Sequence, residues 1–205
     1  MIRWWFGLVA WLLAPLPLHA QRPPHTPFVA RGSCPFECCK LGRWTAGESI
    51  RVYPTQRGSS VPTFTIRPNQ SFVADSADFY TLALGILVVR RPMRVSDYMD
   101  AEFNPAPVTH GDSVRAASLA RTLAVGDTLY VIGEMPEAGE VLWVGGATAI
   151  VEGFWADDAR GDPEAPAVQV RPIQHEWWVH IRTADGRTGW IEAWGRRIDG
   201  SDACA

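Results

Sequence analysis

The sequence predicts an all-β protein made of two small modules, and three observations carry this prediction. Short runs of alternating apolar and polar residues recur along the chain, as expected for strands that bury one face. The 205 residues include 18 Gly and 16 Pro, which favours many turns and few long helices. A hydrophobic content of 47% is enough for a proper core.

The clearest predicted element is a β-hairpin over residues 177–192. Asp185-Gly186 lies between its strands, and Asp-Gly is a strong hairpin signal because primed turns need positive φ. The alternation assigns Trp177, Val179 and Ile181 to the core. Trp190 of the return strand is also expected in the core. The side chains that the alternation assigns to the outer face are Trp178, His180 and Arg182.

Further alternating runs group into two sets. The first set falls within residues 44–94, where Gly85 marks a bulge or a break between two strands. The second set falls within residues 121–195 and contains a long middle segment, 133–174. Residues 95–120 lack a clear period and are interpreted as a linker, with a short helix possible over 113–123.

The N-terminal segment, residues 1–20, is predicted to be a cleaved signal peptide. Arg3 supplies a positive charge, residues 4–14 are wholly apolar, and Ala20 offers a small residue before the cut. Spanning a bilayer takes about 20 apolar residues, so no membrane span is expected after processing. We therefore expect an exported protein, periplasmic or extracellular. A net charge of −3 gives no indication of a nucleic-acid surface.

Four cysteines predict disulfide chemistry in an exported chain. Three lie in a proline-containing lead-in, residues 21–43, and one lies in the C-terminal tail, residues 196–205; they are Cys34, Cys38, Cys39 and Cys204. A direct bond between the adjacent Cys38 and Cys39 is disfavoured by strain. Two alternatives stay open. Either one of them pairs with Cys34 and the other with Cys204, or one bond forms and two thiols stay free.

A zinc site is the rival interpretation of the cysteines. The histidines that would complete it are His25, His110 and His180. Zinc ribbons need two ligand pairs at characteristic spacing, and C-x3-C-C with one distant Cys does not supply them. No metal and no cofactor are predicted.

No catalytic residue is predicted either. The sequence lacks G-x-S-x-G, H-E-x-x-H and a P-loop. The clustered cysteines have no helical pattern behind them, which a cysteine peptidase would need. The carboxylates of residues 157–164 do not follow the spacing of a calcium loop, so we interpret them as a solvated loop.

The predicted hairpin resembles the end of a bacterial SH3-like domain. The residues that carry the resemblance are TADGRTGWI (183–191), preceded by WVHIR (178–182). AVGDTLYVI (124–132) resembles an upstream strand of the same family, and SIRVYP and TIRPNQSF resemble its opening strands more loosely. The resemblance implies two SH3-like β-barrels in tandem, the second with a long insertion. It also implies a non-enzymatic exported module that binds a cell-wall polymer or a peptide.

Exposed aromatic side chains are the best candidates for a binding groove, because they anchor sugars and peptides. The predicted ligand-binding residues are Trp178, Arg182, Tyr130 and Trp143. An alternative is that Trp178 is covered, either by the loop over residues 156–166 or at the interface between the modules. Three functions follow: a binding or scaffolding protein of the cell envelope, a purely structural protein clamped by disulfides, or a metal- or cysteine-dependent hydrolase.

Overall fold

A computed structural model describes most of the chain after residue 22. The described ranges are 23–35, 38–58, 61–95, 121–135, 139–144, 147–151 and 162–202. The predicted signal peptide, nearly all of the predicted linker and Cys204 lie outside these ranges. So do residues 113–120 of the helix expected over 113–123, whose last three residues form a strand instead. Within them every regular element is a strand, which confirms the all-β prediction.

The described residues form fifteen strands, named here in chain order. They are β1 (Phe28–Arg31), β2 (Gly42–Ala46), β3 (Ile50–Val52), β4 (Phe64–Ile66), β5 (Ser71–Ala83), β6 (Gly85–Val89), β7 (Met93–Val95), β8 (Arg121–Leu123), β9 (Thr128–Met135), β10 (Gly139–Val144), β11 (Ala147–Val151), β12 (Ala167–Arg171), β13 (Gln174–Thr183), β14 (Thr188–Glu192) and β15 (Ile198–Asp199). Every pairing between them is antiparallel.

The first sheet has the order β14-β13-β5-β2-β15, and β1 pairs with the far end of β5. Its inner face carries the larger core of the molecule. Trp44 lies at the centre of this core, with its ring 5.8 Å from Trp177 and 6.0 Å from Phe72. Burial alternates along β3 and β14, as expected when one face of a sheet packs and the other faces solvent, whereas three consecutive residues of β13 are buried.

The first sheet curls into a half-barrel because β3 lies beside β14. Tyr53 and Trp190 exchange two backbone hydrogen bonds, each 2.8 Å long. β3 in turn pairs with β4, so the hairpin β3–β4 extends the curled wall. Val52, Ile66 and Ile191 from these strands are fully buried in the larger core.

The second sheet has the order β11-β10-β9-β6-β12. Its core is smaller and purely aliphatic, built around Leu87, Leu129 and Leu142. The two-stranded pair β7–β8 adds Leu123 to this core.

Two continuous segments of the chain each contribute one strand to the first sheet and one strand to the second. β5 continues after a single residue, Leu84, into β6, and β12 continues after Pro172-Ile173 into β13. β5 pairs with β13 in the first sheet, while β6 pairs with β12 in the second. This confirms a strand break at Gly85, where a Cβ would lie 2.8 Å from the Cβ of Val131.

The predicted tandem of two separate barrels is not confirmed. Each sheet combines strands from residues 44–94 with strands from residues 121–195. The predicted closing hairpin, β13–β14, pairs with β5 rather than with its sequence neighbours β9–β11. Strand patterns identify strands but not their partners, and here the partners lie in the other segment.

A disulfide joins Cys34 and Cys39, with their Cα atoms 5.6 Å apart. Cys38 is also disulfide-bonded, and none of the described cysteines is free. The expected bond between Cys34 and one of the adjacent cysteines is therefore confirmed. Cys39 also forms a β-bridge with Asp202, which places the C-terminal end of the described chain beside this region. No helix in the described ranges has the length and apolarity needed to cross a membrane.

Candidate functional site

The predicted hairpin forms, but with a different turn from the two-residue primed type. The backbone N–H of Gly186 donates to the carbonyl of Thr183, and the N–H of Thr183 donates to the carbonyl of Arg187. Gly186 has φ of 84°, whereas Asp185 does not have positive φ. This is the three-residue loop that ends in a left-handed glycine and a bulge. Asp185 instead accepts hydrogen bonds from the side chains of Thr183 and Arg187.

The two faces of the hairpin largely follow the predicted alternation. Trp177, Val179 and Ile181 are buried, as predicted. The prediction that Trp190 lies in the core is wrong. Trp190 is half-buried on the outer face, opposite His180 in the register, and the two ring centroids are 5.0 Å apart. Its neighbours on β14, Gly189 and Ile191, occupy the inner positions instead.

Trp178 lies on the outer face but is only 7% exposed. Tyr53 packs against it edge-on, with 5.8 Å between the ring centroids. Its indole Nε1–H donates to Glu176 Oε2 over 2.8 Å. The alternative that Trp178 is covered is thus realised through Tyr53; most of the loop expected to cover it lies outside the described residues.

Trp178 and Tyr53 lie in a cleft of about 700 Å³ on the outer face of the first sheet. The residues that line it are Ser49, Ile50, Arg51, Tyr53, Arg57, Glu176, Trp178, Glu192 and Arg196. They come from β3, from the segment after it, and from the hairpin β13–β14 with its exit. The cleft therefore combines two aromatic rings with three guanidinium groups and two carboxylates.

The segment over residues 53–58, which forms one wall of the cleft, is held down by polar contacts. Arg57 Nε forms an ion pair with Glu176 Oε2 at 2.8 Å. Gln56 Nε2 donates to Asp78 Oδ2 over 2.7 Å, and the Tyr80 hydroxyl donates to Gln56 Oε1. Asp78, only 6% exposed, also accepts from Arg31. Buried polar groups that are all paired make such a segment rigid.

The backbone of this wall adopts a rarely populated conformation. Arg57 has φ of 55°, the left-handed region that side chains other than Gly seldom enter. Its ion pair with Glu176 and its position 5.6 Å over the Tyr80 ring hold it there. Such residues persist where surrounding contacts fix them, often at ligand sites.

The two carboxylates of the cleft have different environments. Glu176 is bound by both Arg57 and the indole of Trp178. Burial raises the pKa of Glu192 above its ordinary value, and the charge of Glu176 adds to this, while Trp194 and Arg196 oppose it. The backbone N–H of Trp194 donates to Glu192 Oε1 over 3.1 Å. Glu192 Oε2 has Arg196 at 3.8 Å, which is too far for a hydrogen bond.

The four predicted binding residues do not share one groove. Trp178 lines the cleft, and Arg182 lies further along β13, exposed, opposite Thr188. Tyr130 and Trp143 face each other across β9 and β10 of the second sheet. Of the residues that line the cleft, sequence reasoning found only Trp178; those it missed include Tyr53, Arg51, Arg57, Glu176, Glu192 and Arg196. Tyr53 ends a predicted strand, but nothing local links it to a hairpin so far along the chain.

The cysteines and histidines do not come together as a metal site in the described part of the chain. No group of three His, Cys, Asp or Glu side chains there could hold an ion. The thiols of Cys34, Cys38 and Cys39 are consumed by disulfides. His180, one of the histidines that would have completed the rival zinc site, interacts with Asp75, with 2.6 Å between Nδ1 and Oδ1.

Comparisons with known proteins give no relative. No protein-family model matches the sequence, and no curated protein or solved structure is detectably similar to it. Function must therefore be argued from the site itself.

Proposed function

We propose that this chain is an exported, non-catalytic binding protein of the cell envelope, and that its ligand occupies the cleft beside Trp178. One observation carries the proposal: an aromatic and charged cleft whose wall, residues 53–58, is fixed by Arg57, Gln56 and Asp78. A preformed cleft loses little conformational entropy on binding, which is the property a binding site needs.

The SH3-like resemblance belongs to the same proposal. The curled first sheet, in which β3 lies against the Gly189-Trp190-Ile191 strand, is compatible with a small barrel of that kind. Export is supported by the disulfide between Cys34 and Cys39, because disulfides persist in oxidising compartments.

The binding proposal is tested by titrating the protein with solubilised envelope fragments, peptides and glycans, followed by tryptophan fluorescence. We expect a saturable shift in the wild type and a loss of about tenfold or more in affinity for Tyr53→Ala, because an aromatic wall is removed. Tyr130→Ala is the matched control on the second sheet. If Tyr130→Ala loses binding while Tyr53→Ala retains it, the cleft is not the site.

A second candidate, a structural protein with clamped ends, is favoured by the C-terminal contacts. The Lys40 backbone N–H donates to the Ser201 carbonyl over 2.9 Å, and Cys39 bridges to Asp202. In this proposal Cys204 is the partner of Cys38, and the bond closes a loop that spans almost the whole chain. The loop-entropy relation assigns such a bond about 5 kcal/mol.

Peptide mapping without reductant tests the clamp. The expected result is a peptide pair that contains Cys38 and Cys204 and disappears on reduction. A free thiol at Cys204 in protein purified under oxidising conditions would overturn the clamp, and would leave the binding proposal untouched.

A further inference from the structure

We propose that the cleft selects a ligand that carries both an ammonium group and a carboxylate, as an amino acid or a short peptide does. The ammonium binds at Glu192 and the carboxylate binds at Arg51. This inference rests on the proposed role of the cleft as the binding site, and it names the chemistry that the cleft recognises.

Two charged groups of the cleft are less engaged than the others. Arg57 is bound to Glu176 at 2.8 Å. Arg196 and Arg197 both contact Glu48, at 3.4 and 3.5 Å, and Arg196 also lies 3.8 Å from Glu192. Among the described residues Arg51 has no acidic partner and Glu192 has no cation within hydrogen-bond distance, so the cleft offers a ligand one group of each charge.

Glu192 is suited to an ammonium group. Its Oε1 already accepts from the Trp194 backbone, while its Oε2 has no donor within hydrogen-bond distance among the described residues. The carboxyl is partly removed from water, which strengthens a charge-assisted hydrogen bond to an incoming cation. Tyr53, which lines the cleft beside Trp178, adds an aromatic ring that attracts an ammonium group.

Arg51 is suited to a carboxylate. It lies in the middle of β3, opposite Thr65, with an exposed side chain on the cleft. No ion pair or side-chain hydrogen bond engages its guanidinium in the described part of the chain. A guanidinium binds a carboxylate through two parallel hydrogen bonds, so its planar shape as well as its charge favours a carboxylate ligand.

A neutral glycan fits these two groups less well. Covering Glu192 and Arg51 with an uncharged ligand removes water from both charges without replacing it by an opposite charge, which is costly. Trp178 also offers no open ring face for stacking on a sugar, because Tyr53 packs against it and only 7% of it is exposed.

Calorimetric titration of the full-length protein tests the inference with defined probes. The probes are free alanine, dialanine, trialanine, N-acetyl-trialanine, trialanine amide and a neutral chito-oligosaccharide. We expect an unblocked probe to bind, and blocking either end to weaken binding about tenfold, as for the loss of one charge-assisted hydrogen bond. Free alanine binding as tightly as trialanine would assign the site to amino acids, and tighter binding of trialanine would assign it to peptides.

Variants assign each end of the ligand. In Arg51→Gln, trialanine and trialanine amide should bind with equal affinity. In Glu192→Gln, trialanine and N-acetyl-trialanine should bind with equal affinity. Matched controls are Arg67→Gln, an exposed arginine outside the cleft, and Glu164→Gln, which pairs with Arg91 beside the second sheet. Both controls should retain the full preference for the unblocked probe.

The outcomes separate this inference from the proposed function. Binding of the chito-oligosaccharide alone, lost in Tyr53→Ala, overturns the charge assignment and retains the cleft as the site. If neither these probes nor envelope fragments bind, both proposals fail.

Discussion

Gly189 shows how one residue fixes the curl of the first sheet. A Cβ at this position would lie 2.6 Å from Val52 Cγ1 and 2.7 Å from the Tyr53 carbonyl oxygen. The two backbones are held together by the Tyr53–Trp190 hydrogen bonds, so they cannot separate without losing those bonds. The glycine of the Gly-Trp pair that suggested a family resemblance is therefore required here by close backbone approach.

Gly189→Ala is expected to lower the free energy of unfolding by about 2–3 kcal/mol, the cost of overpacking a tight core. Gly133→Ala is the matched control, since its added Cβ would lie 3.8 Å from Val141, an ordinary contact. Urea unfolding followed by tryptophan fluorescence measures both. Equal stabilities for the two variants would contradict the close approach of β14 to β3.

His175 is expected to make stability depend on pH. Its ring stacks on Phe79 and meets the edge of Trp194, and its Nδ1 is buried without a hydrogen-bond partner among the described residues. Burial lowers the pKa of His175 below its ordinary value of 6.5. Because the unfolded chain takes up this proton first, the stabilisation is complete above pH 6.5 and is lost as the pH falls from there through the folded-state pKa.

His175→Phe keeps an aromatic ring in place and removes the titrating group. We expect the wild type to lose more stability than this variant between pH 7.5 and pH values below 6. Urea midpoints over this range measure the difference. Parallel pH profiles for the two proteins would show that His175 does not titrate between the folded and unfolded states.

At the scale of single elements, the sequence predicts the hairpin β13–β14 well because its signals are local. Alternation places Trp177, Val179 and Ile181 correctly, and Asp185-Gly186 marks the turn. The error at Trp190 has a physical cause. The three-residue loop that ends in Gly186 sets the register of β14, which places Trp190 opposite His180 and leaves the inner positions to its neighbours.

The segment over residues 53–58 is the element on which the cleft depends. Gln56 ties it to Asp78 and Tyr80 but does not line the cleft. We expect Gln56→Ala to cost about 1 kcal/mol in stability, and to weaken cleft binding because the wall is no longer fixed. Gln70→Ala, whose side chain accepts from the Arg67 backbone and does not line the cleft, is the control.

Hydrogen exchange gives a second measurement of the same change. The amides of residues 53–58 should exchange faster in Gln56→Ala, while those of β13 should not change. Unchanged exchange together with unchanged affinity would show that Gln56 does not hold this wall.

At the scale of the whole molecule, the local sequence identifies most strands but cannot give their partners. β5 pairs with β13, and register partners such as Asp78 and Trp178 lie a hundred residues apart. Periodicity reports which face of a strand is buried, and it carries no information about what covers that face. The cleft escaped prediction for a similar reason, since Tyr53 meets Trp178 through the backbone bonds between Tyr53 and Trp190, which are far apart in the sequence.

The shared segments predict that neither half folds alone. A fragment of residues 121–195 lacks β5 and β6, the partners of β13 and β9. We expect this fragment to show no cooperative thermal transition by circular dichroism, whereas residues 21–205 unfold in one. A cooperative transition in the fragment would contradict this prediction and would support two independently folding barrels.

The pairing of β5 with β13 also sets the order of events during synthesis. The central strand of the first sheet, β5, is synthesised early, but its partner β13 lies near the end of the chain. Until then the unpaired backbone N–H and C=O groups along one edge of this long strand are open, and such edges pair wrongly with other chains. Native structure must therefore form late and slowly, so a chaperone or a translocation channel that keeps the growing chain extended would raise the yield of folded protein.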